Sequence, residues 1–477
     1  MKLTIKYLSD KEISLLHEAA LKILHDVGMR FPSPKALALF EKAGATIRDS
    51  NVVCLGENLV RNALKSTRKR RDMRLYALDP ERDVTFERHD PGLACMTMAT
   101  SVIDPWSGEK RSAAMADLVR LVHLSDQLEC IHVSGGPVTP QDVDHRVCDW
   151  YTWAGCLKYT TKHITGGVLG EQGVLDAIDM AAVVAGSRDA FLNRPFISGW
   201  VLTLPPLGMD VESLEAMMAM NQNQIPIMLS SGPILGSTAP VTIPGMVAQA
   251  HAEILACITL SQLVSPGAPV VYTSFARGMN MQTANISMAG PEFAVLKVAM
   301  AQMGLWLDLP VRMPSMLRDA KILDAQAGFE TGLVGTLTSL KADLMDAMQL
   351  DTDMVVDYAD MVFCNDCMAF IRHAMRDIPV NADTLALDAI AQAGPGGNLL
   401  ASSHTFSRFK TELWHSDLFD HDNWDKWEKK GARSIREKAL IKTRALLEKD
   451  PQMVVTDKQA SAIDKIVERS LQQQKAQ

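Results

Sequence analysis

Two places in the chain carry residue types whose pattern could do chemistry. The first is Arg312, set in the otherwise apolar run Pro310-Val311-Arg312-Met313-Pro314. A guanidinium in such a run is costly to bury unless a negative group meets it. An internal acid such as Asp346 or Glu330 would answer the charge structurally. The anionic end of a ligand would answer it functionally, through the planar fork of donors. Trp200, Tyr272 and Phe275 stand at the ends of other β-rich runs, where they either fill core or offer π faces to a cationic, methylated nitrogen. The second place is Gly394-Pro395-Gly396-Gly397-Asn398-Leu399-Leu400, followed by Ala401-Ser402-Ser403-His404-Thr405. Its glycines permit φ > 0 and close approach while the proline fixes one φ. It reads as a ligand-side loop or as a stiff turn between helices.

Familiar catalytic spacings are missing. His373, His404, His415 and His421 form no H-E-x-x-H or similar set. The sequence has no P-loop, no nucleophile elbow and no G-x-G-x-x-G after a first strand. Cys364-Asn365-Asp366-Cys367 is a lone C-x-x-C in a helix-like run, which favours core thiols over a zinc or redox centre. Residue types alone therefore describe a pocket and name no reaction.

The elements that must position these groups repeat a simple grammar. Short β-rich runs end in small residues, and most are followed by a helix-length segment. They begin at Cys130, His163, Phe196, Ile227, Val270, Val311 and, most weakly, Leu344. Their onsets lie about 30 to 45 residues apart, the spacing of β-loop-α units with buried parallel strands. Seven units with an eighth hidden predict an α/β protein built on a (β/α)8 TIM barrel, with a doubly wound open sheet as the alternative. An N-terminal α+β cap is expected over residues 1–110, the barrel over 111–400 and a helical C-terminal extension over 401–477. Ser9 with Glu12, and Thr456 with Gln459, have capping-box spacing at the first and last helices. Barrel sites form at the strand C-termini, where Ser198, Ser230, Ser231 and Ser274 would leave room and hydroxyls.

Composition narrows the class. With 48 Lys and Arg against 56 Asp and Glu, the net charge of −8 gives no support to a nucleic-acid partner. The basic run from Lys65 to Arg71 reads as a solvated turn. The start of the chain lacks a signal-peptide core, and the apolar stretch from Ile254 to Val264 is too short to span a bilayer, so the expectation is a cytoplasmic protein with reduced cysteines. The tail aromatics Trp414, Phe419, Trp424 and Trp427 are expected to wrap the barrel or a partner subunit.

The run from Gly394 to Leu400, with His404-Thr405 and then Glu412, resembles the C-terminal signature of the trimethylamine methyltransferase (MttB) superfamily. Leu8 to Glu12, Ala20 to Leu24, Val27-Gly28 and Ala43-Gly44-Ala45 are similar to its N-terminal pattern. The resemblance spans about Leu8 to Glu448 and implies a TIM barrel that passes a methyl group from a methylated amine to the Co(I) of a corrinoid protein. No pyrrolysine is written in the sequence, so the chain looks like the branch without it, which implies a quaternary amine substrate, foremost glycine betaine. On this resemblance Arg312, Trp200, Tyr272, Phe275 and Asp346 become substrate-binding candidates. Gly394, Gly396, Gly397, Asn398 and His404 become candidates for a corrinoid-facing surface. It also implies a cobalamin carried by a partner protein, no directly bound metal, and a homo-oligomer. A non-catalytic binding component and an unrelated barrel enzyme are the competing readings.

Overall fold

The structure is a computed structural model and describes residues 6–87, 89–95, 98–167 and 170–476. Eight parallel strands close into a barrel: β1 (Gly92–Cys95), β2 (Ile131–Ser134), β3 (His163–Gly167), β4 (Ile197–Leu202), β5 (Ile227–Ser231), β6 (Val270–Ser274), β7 (Val311–Leu317) and β8 (Leu344–Gln349). Each strand pairs with its sequence neighbour, and β8 closes on β1 through Leu344↔Gly92 and Asp346↔Ala94. The closed ring rules out the doubly wound alternative. All seven expected runs are barrel strands, Leu344 included. The hidden eighth is β1, which lies inside the segment expected to belong to the cap. It is short, preceded by Asp90-Pro91, and contains Gly92, so β propensity hardly marks it. Gly92 is required by close approach: a Cβ there would sit 2.1 Å from Nδ1 of His132.

Strand alternation sorts side chains into two sets. Val133, Met228, Val271 and Leu344 point into the barrel, where they pack with Met73, Leu75, Val84 and Phe86 of the N-terminal cap. The cap hairpin Arg74–Leu75/Val84–Thr85 thus closes the N-terminal end and gives the barrel a dry floor. The basic run is tied to the body rather than solvated throughout, since Arg70 pairs with buried Asp343 and its N–H meets the Asp308 carbonyl.

The helix Ile243–Val264 is 22 residues long, enough by length and composition to cross a membrane, but 83% of its most apolar window is buried. The stretch recognised in the sequence is only its C-terminal half. The helix packs against Asp10–Asp26 and Glu57–Ser66 as a core element. The expected capping boxes form at Ser9/Glu12 and Thr456/Gln459.

The tail does wrap the barrel. Trp414 and Phe419 pack on Phe370, while Asp457–Ala476 lies across Cys148–Tyr159 and Gly170–Ala185. Arg469 pairs there with buried Asp176. Cys364 and Cys367 are buried free thiols on the helix Tyr358–Met375. Cys364 lies 3.3 Å from Nη1 of Arg318, which pairs with Asp360 in a fully buried cluster.

Candidate functional site

Inside the barrel, β7 and β8 bring Arg312 and Asp346 together. Arg312 is fully buried, and its Nε donates to Oδ1 of Asp346 at 3.0 Å. Nη2 donates to the same oxygen, while Nη1 lies 3.4 Å from Oγ1 of Thr165. Of the open readings for Arg312, the internal acid is the one realised, with Asp346 as partner. Glu330 is engaged elsewhere, accepting from the backbone N–H groups of Asp319 and Ala320. Burial pushes the Asp346 carboxyl up, and the Arg312 charge and hydrogen bonds pull it back toward ionisation. Its second oxygen, Oδ2, is buried without a hydrogen-bond partner.

Above this pair stands Trp200, the guanidinium of Arg312 lying 4.6 Å from the centre of its ring. One region of the indole face is therefore occupied by a resident cation. Phe275 meets Trp200 edge-on at 6.1 Å, and the guanidinium of Arg277 lies 5.8 Å from the Phe275 ring. A continuous column thus runs from Asp346 through Arg312, Trp200 and Phe275 to Arg277. Both aromatic rings are half-buried. Ser230 Oγ and Thr273 Oγ1, on inward positions of β5 and β6, are buried without partners. Buried polar atoms are almost always satisfied, so this group of uncommitted atoms marks the interior as a place for a polar guest.

Tyr272 does not join the column. Alternation turns Val271 and Thr273 inward and Tyr272 outward, where its ring lies under the helix Pro291–Trp306. A Cβ on Gly304 would come within 2.8 Å of that ring. The Tyr272 hydroxyl, 2.9 Å from Nδ1 of His251, is part of the packing between barrel and helices. The serines divide in the same way. Ser198 bonds His163, Ser231 bonds Glu253, and the Ser274 hydroxyl donates to the Ser231 carbonyl, which leaves Ser230 uncommitted. On β3, His163 Nδ1 lies 2.6 Å from the Tyr76 carbonyl and therefore carries the proton, while Nε2 accepts from Ser198 Oγ. Burial holds that imidazole neutral, with its pKa lowered to about 4.

The glycine-rich loop is placed away from this column. The helix Tyr358–Met375 follows β8 and returns antiparallel to it. Its last turns lie at the strand N-termini, where Arg372 pairs with Asp90 and Met375 Sδ approaches Ser339 Oγ at 3.0 Å. Residues 377–412 leave from that end, tied back where His373 and Arg376 meet Glu412. Gly394, Gly396, Gly397 and Asn398 are exposed, and His404 is half-buried within the arm. Expected as a corrinoid-facing surface, the loop belongs to a segment that departs from the strand N-terminal end of the barrel. The connection explains it, because a strand followed by one antiparallel helix, joined by a single reversal, brings the chain out at the strand N-termini. Gly394 and Gly396 have φ of 65° and 75°, so their local role is the turn itself.

At the strand C-termini the rim is apolar. Met98, Leu202, Leu204, Val241, Met281 and Met354 are exposed on or beside loops that follow β1, β4, β5, β6 and β8. The small sheet Lys110–Ser112, Ser101–Ile103, Val355–Asp357 is built from the segments after β1 and β8. Among the described residues no group of three or more His, Cys, Asp or Glu is placed to hold a metal ion.

The chain belongs to the trimethylamine methyltransferase (MTTB) family, whose pattern matches residues 2–474. It is 29% identical over 465 residues to a trimethylamine methyltransferase of Desulfitobacterium hafniense, covering 97% of this chain and 93% of that protein. It is 28% identical over 430 residues to a glycine betaine methyltransferase from another strain of that species, with 88% of each chain covered. A proline betaine:corrinoid methyltransferase of Eubacterium limosum is 30% identical over 431 residues, with 87% of each covered.

Proposed function

We propose that this protein moves a methyl group from a quaternary amine, foremost glycine betaine, to the Co(I) of a corrinoid carried by a partner protein. The observation that carries the reading is the Trp200–Phe275 edge-on pair above the unpartnered Oδ2 of Asp346. Aromatic surface and a buried carboxylate oxygen both favour a cation, and the aromatic share asks no hydrogen bond of it, which suits a quaternary nitrogen. The relatives named for glycine betaine and proline betaine support the same substrate class.

The chemistry asks little of the protein. A quaternary nitrogen leaves as a neutral tertiary amine, keeping the electron pair of the broken C–N bond. The electron pair for the new methyl bond comes from Co(I). No proton moves, so no general base is needed. The chain's residues have to desolvate the cation, aim one methyl toward the mouth and exclude water. The cap floor under β1–β8 and the neutralised Arg312–Asp346 pair supply a dry, rigid interior for that. The exposed apolar rim supports docking of the corrinoid-bearing partner at the strand C-termini.

Leu400 and Phe406, each 80% exposed on the projecting arm, support self-association there. Light scattering that finds only monomer at working concentration would refute it. For the function itself, the test is methyl-Co(III) formation from glycine betaine and Co(I) cobalamin, with dimethylglycine as co-product. A trimethylamine-specific enzyme is the second reading, favoured by the relative named for that amine.

A further inference from the structure

Arg277 is the member of the aromatic column that lies beyond the strand ends. It follows β6 by three residues, and its position is held from two sides. Its backbone N–H donates to the Pro233 carbonyl at 3.0 Å, and its carbonyl accepts from Leu235 N–H at 3.0 Å, so the loops after β5 and β6 are joined. The fully buried ammonium of Lys297 donates to the carbonyls of Ser274 at 2.7 Å and Ala276 at 2.6 Å, fixing Phe275 between them. A side chain on so firm a base is suited to recognition.

Its guanidinium is only partly answered. Nε is out of contact with solvent and has no hydrogen-bond partner. The two fully buried guanidiniums of the barrel are matched by carboxylates, Arg312 by Asp346 and Arg318 by Asp360. Asp353, on the turn after β8, offers Arg277 a favourable charge, but burial outweighs it and lowers the guanidinium pKa. Holding a partly desolvated guanidinium whose Nε has no partner is unfavourable, and an anion supplied from outside would relieve it.

Resting on the methyl-transfer reading above, we infer that Arg277 holds the carboxylate of the substrate at the barrel mouth. The substrate class is then a zwitterion. Its methylated nitrogen lies against the Trp200–Phe275 surface and its anionic end lies on the Arg277 fork. Arg312, committed to Asp346, is not the clamp. Amines without an anion, such as choline or trimethylamine, leave Arg277 unanswered and are disfavoured on that account.

The test uses the full chain with free Co(I) cobalamin as acceptor and compares glycine betaine with choline. Wild type should prefer glycine betaine. Arg277→Gln should lower kcat/KM for glycine betaine about 30-fold, chiefly through KM, while choline changes less than about 3-fold; losing one charge-assisted contact sets that scale. Arg277→Lys should restore part of the glycine betaine activity, with thermal midpoints close to wild type. Equal loss for both substrates, or a wild type indifferent between them, overturns the inference and leaves the methyl-transfer reading in place. If Arg277→Gln does not fold, the wild-type preference and the Lys variant decide. Transfer from no quaternary amine by wild type overturns the underlying reading instead.

Discussion

Arg312 spends both Nε and Nη2 on a single oxygen of Asp346, leaving the other carboxylate oxygen without a partner in the barrel interior. The pair is thus a structural strut with one free corner. Removing one partner strands a buried charge. Arg312→Met should cost about 3–5 kcal/mol, whereas Arg312→Met combined with Asp346→Leu should recover most of it. Urea unfolding of the two single variants and the double variant measures this. Additive losses would mean the pair is not coupled.

Trp200 and Tyr272 provide a contrast within one residue class. Trp200→Leu removes the ring that lies beside Arg312 and Phe275, and should raise KM for the quaternary amine about 10-fold. Tyr272→Phe removes only a hydroxyl bonded to His251 outside the barrel. It should cost about 1–3 kcal/mol of stability by leaving a buried partner unsatisfied, with KM unchanged. A raised KM in Tyr272→Phe would put the ring back in the site.

His163 should make acid stability steeper. Its pKa is about 4 when folded against 6.5 when free, so the unfolded chain binds a proton that the folded barrel refuses. The stabilisation is present above pH 6.5 and is lost as pH falls toward 4. Relative to wild type, His163→Asn should therefore gain about 1.4 kcal/mol for each unit that pH falls within that window. Denaturant unfolding between pH 7 and 4 checks it, and a constant difference would contradict the assignment.

Much of the barrel was legible because buried parallel strands write themselves as apolar runs at regular spacing. β1 was not, because its four residues contain a glycine and a cysteine and little β-branching. Register was the second limit. Tyr272 and Arg312 look alike as large residues in apolar runs, and only pairing with neighbouring strands decides which faces inward. Trp200, Phe275 and Asp346 come together with Arg312 because they fall at or near inward strand ends. Arg277 carries only a weak signal, a cation three residues after a strand end, because loop geometry rather than strand alternation sets where it points. The position of the arm was not legible, since the direction of the helix Tyr358–Met375, rather than composition, determines where Gly394 emerges.

The most direct test is a single-turnover spectrum. Full-length protein, glycine betaine and Co(I) cobalamin should convert Co(I) to methyl-Co(III) and release one dimethylglycine per methyl transferred. Loss of Co(I) without methyl-Co(III), or no change with any of several betaines, would contradict the account.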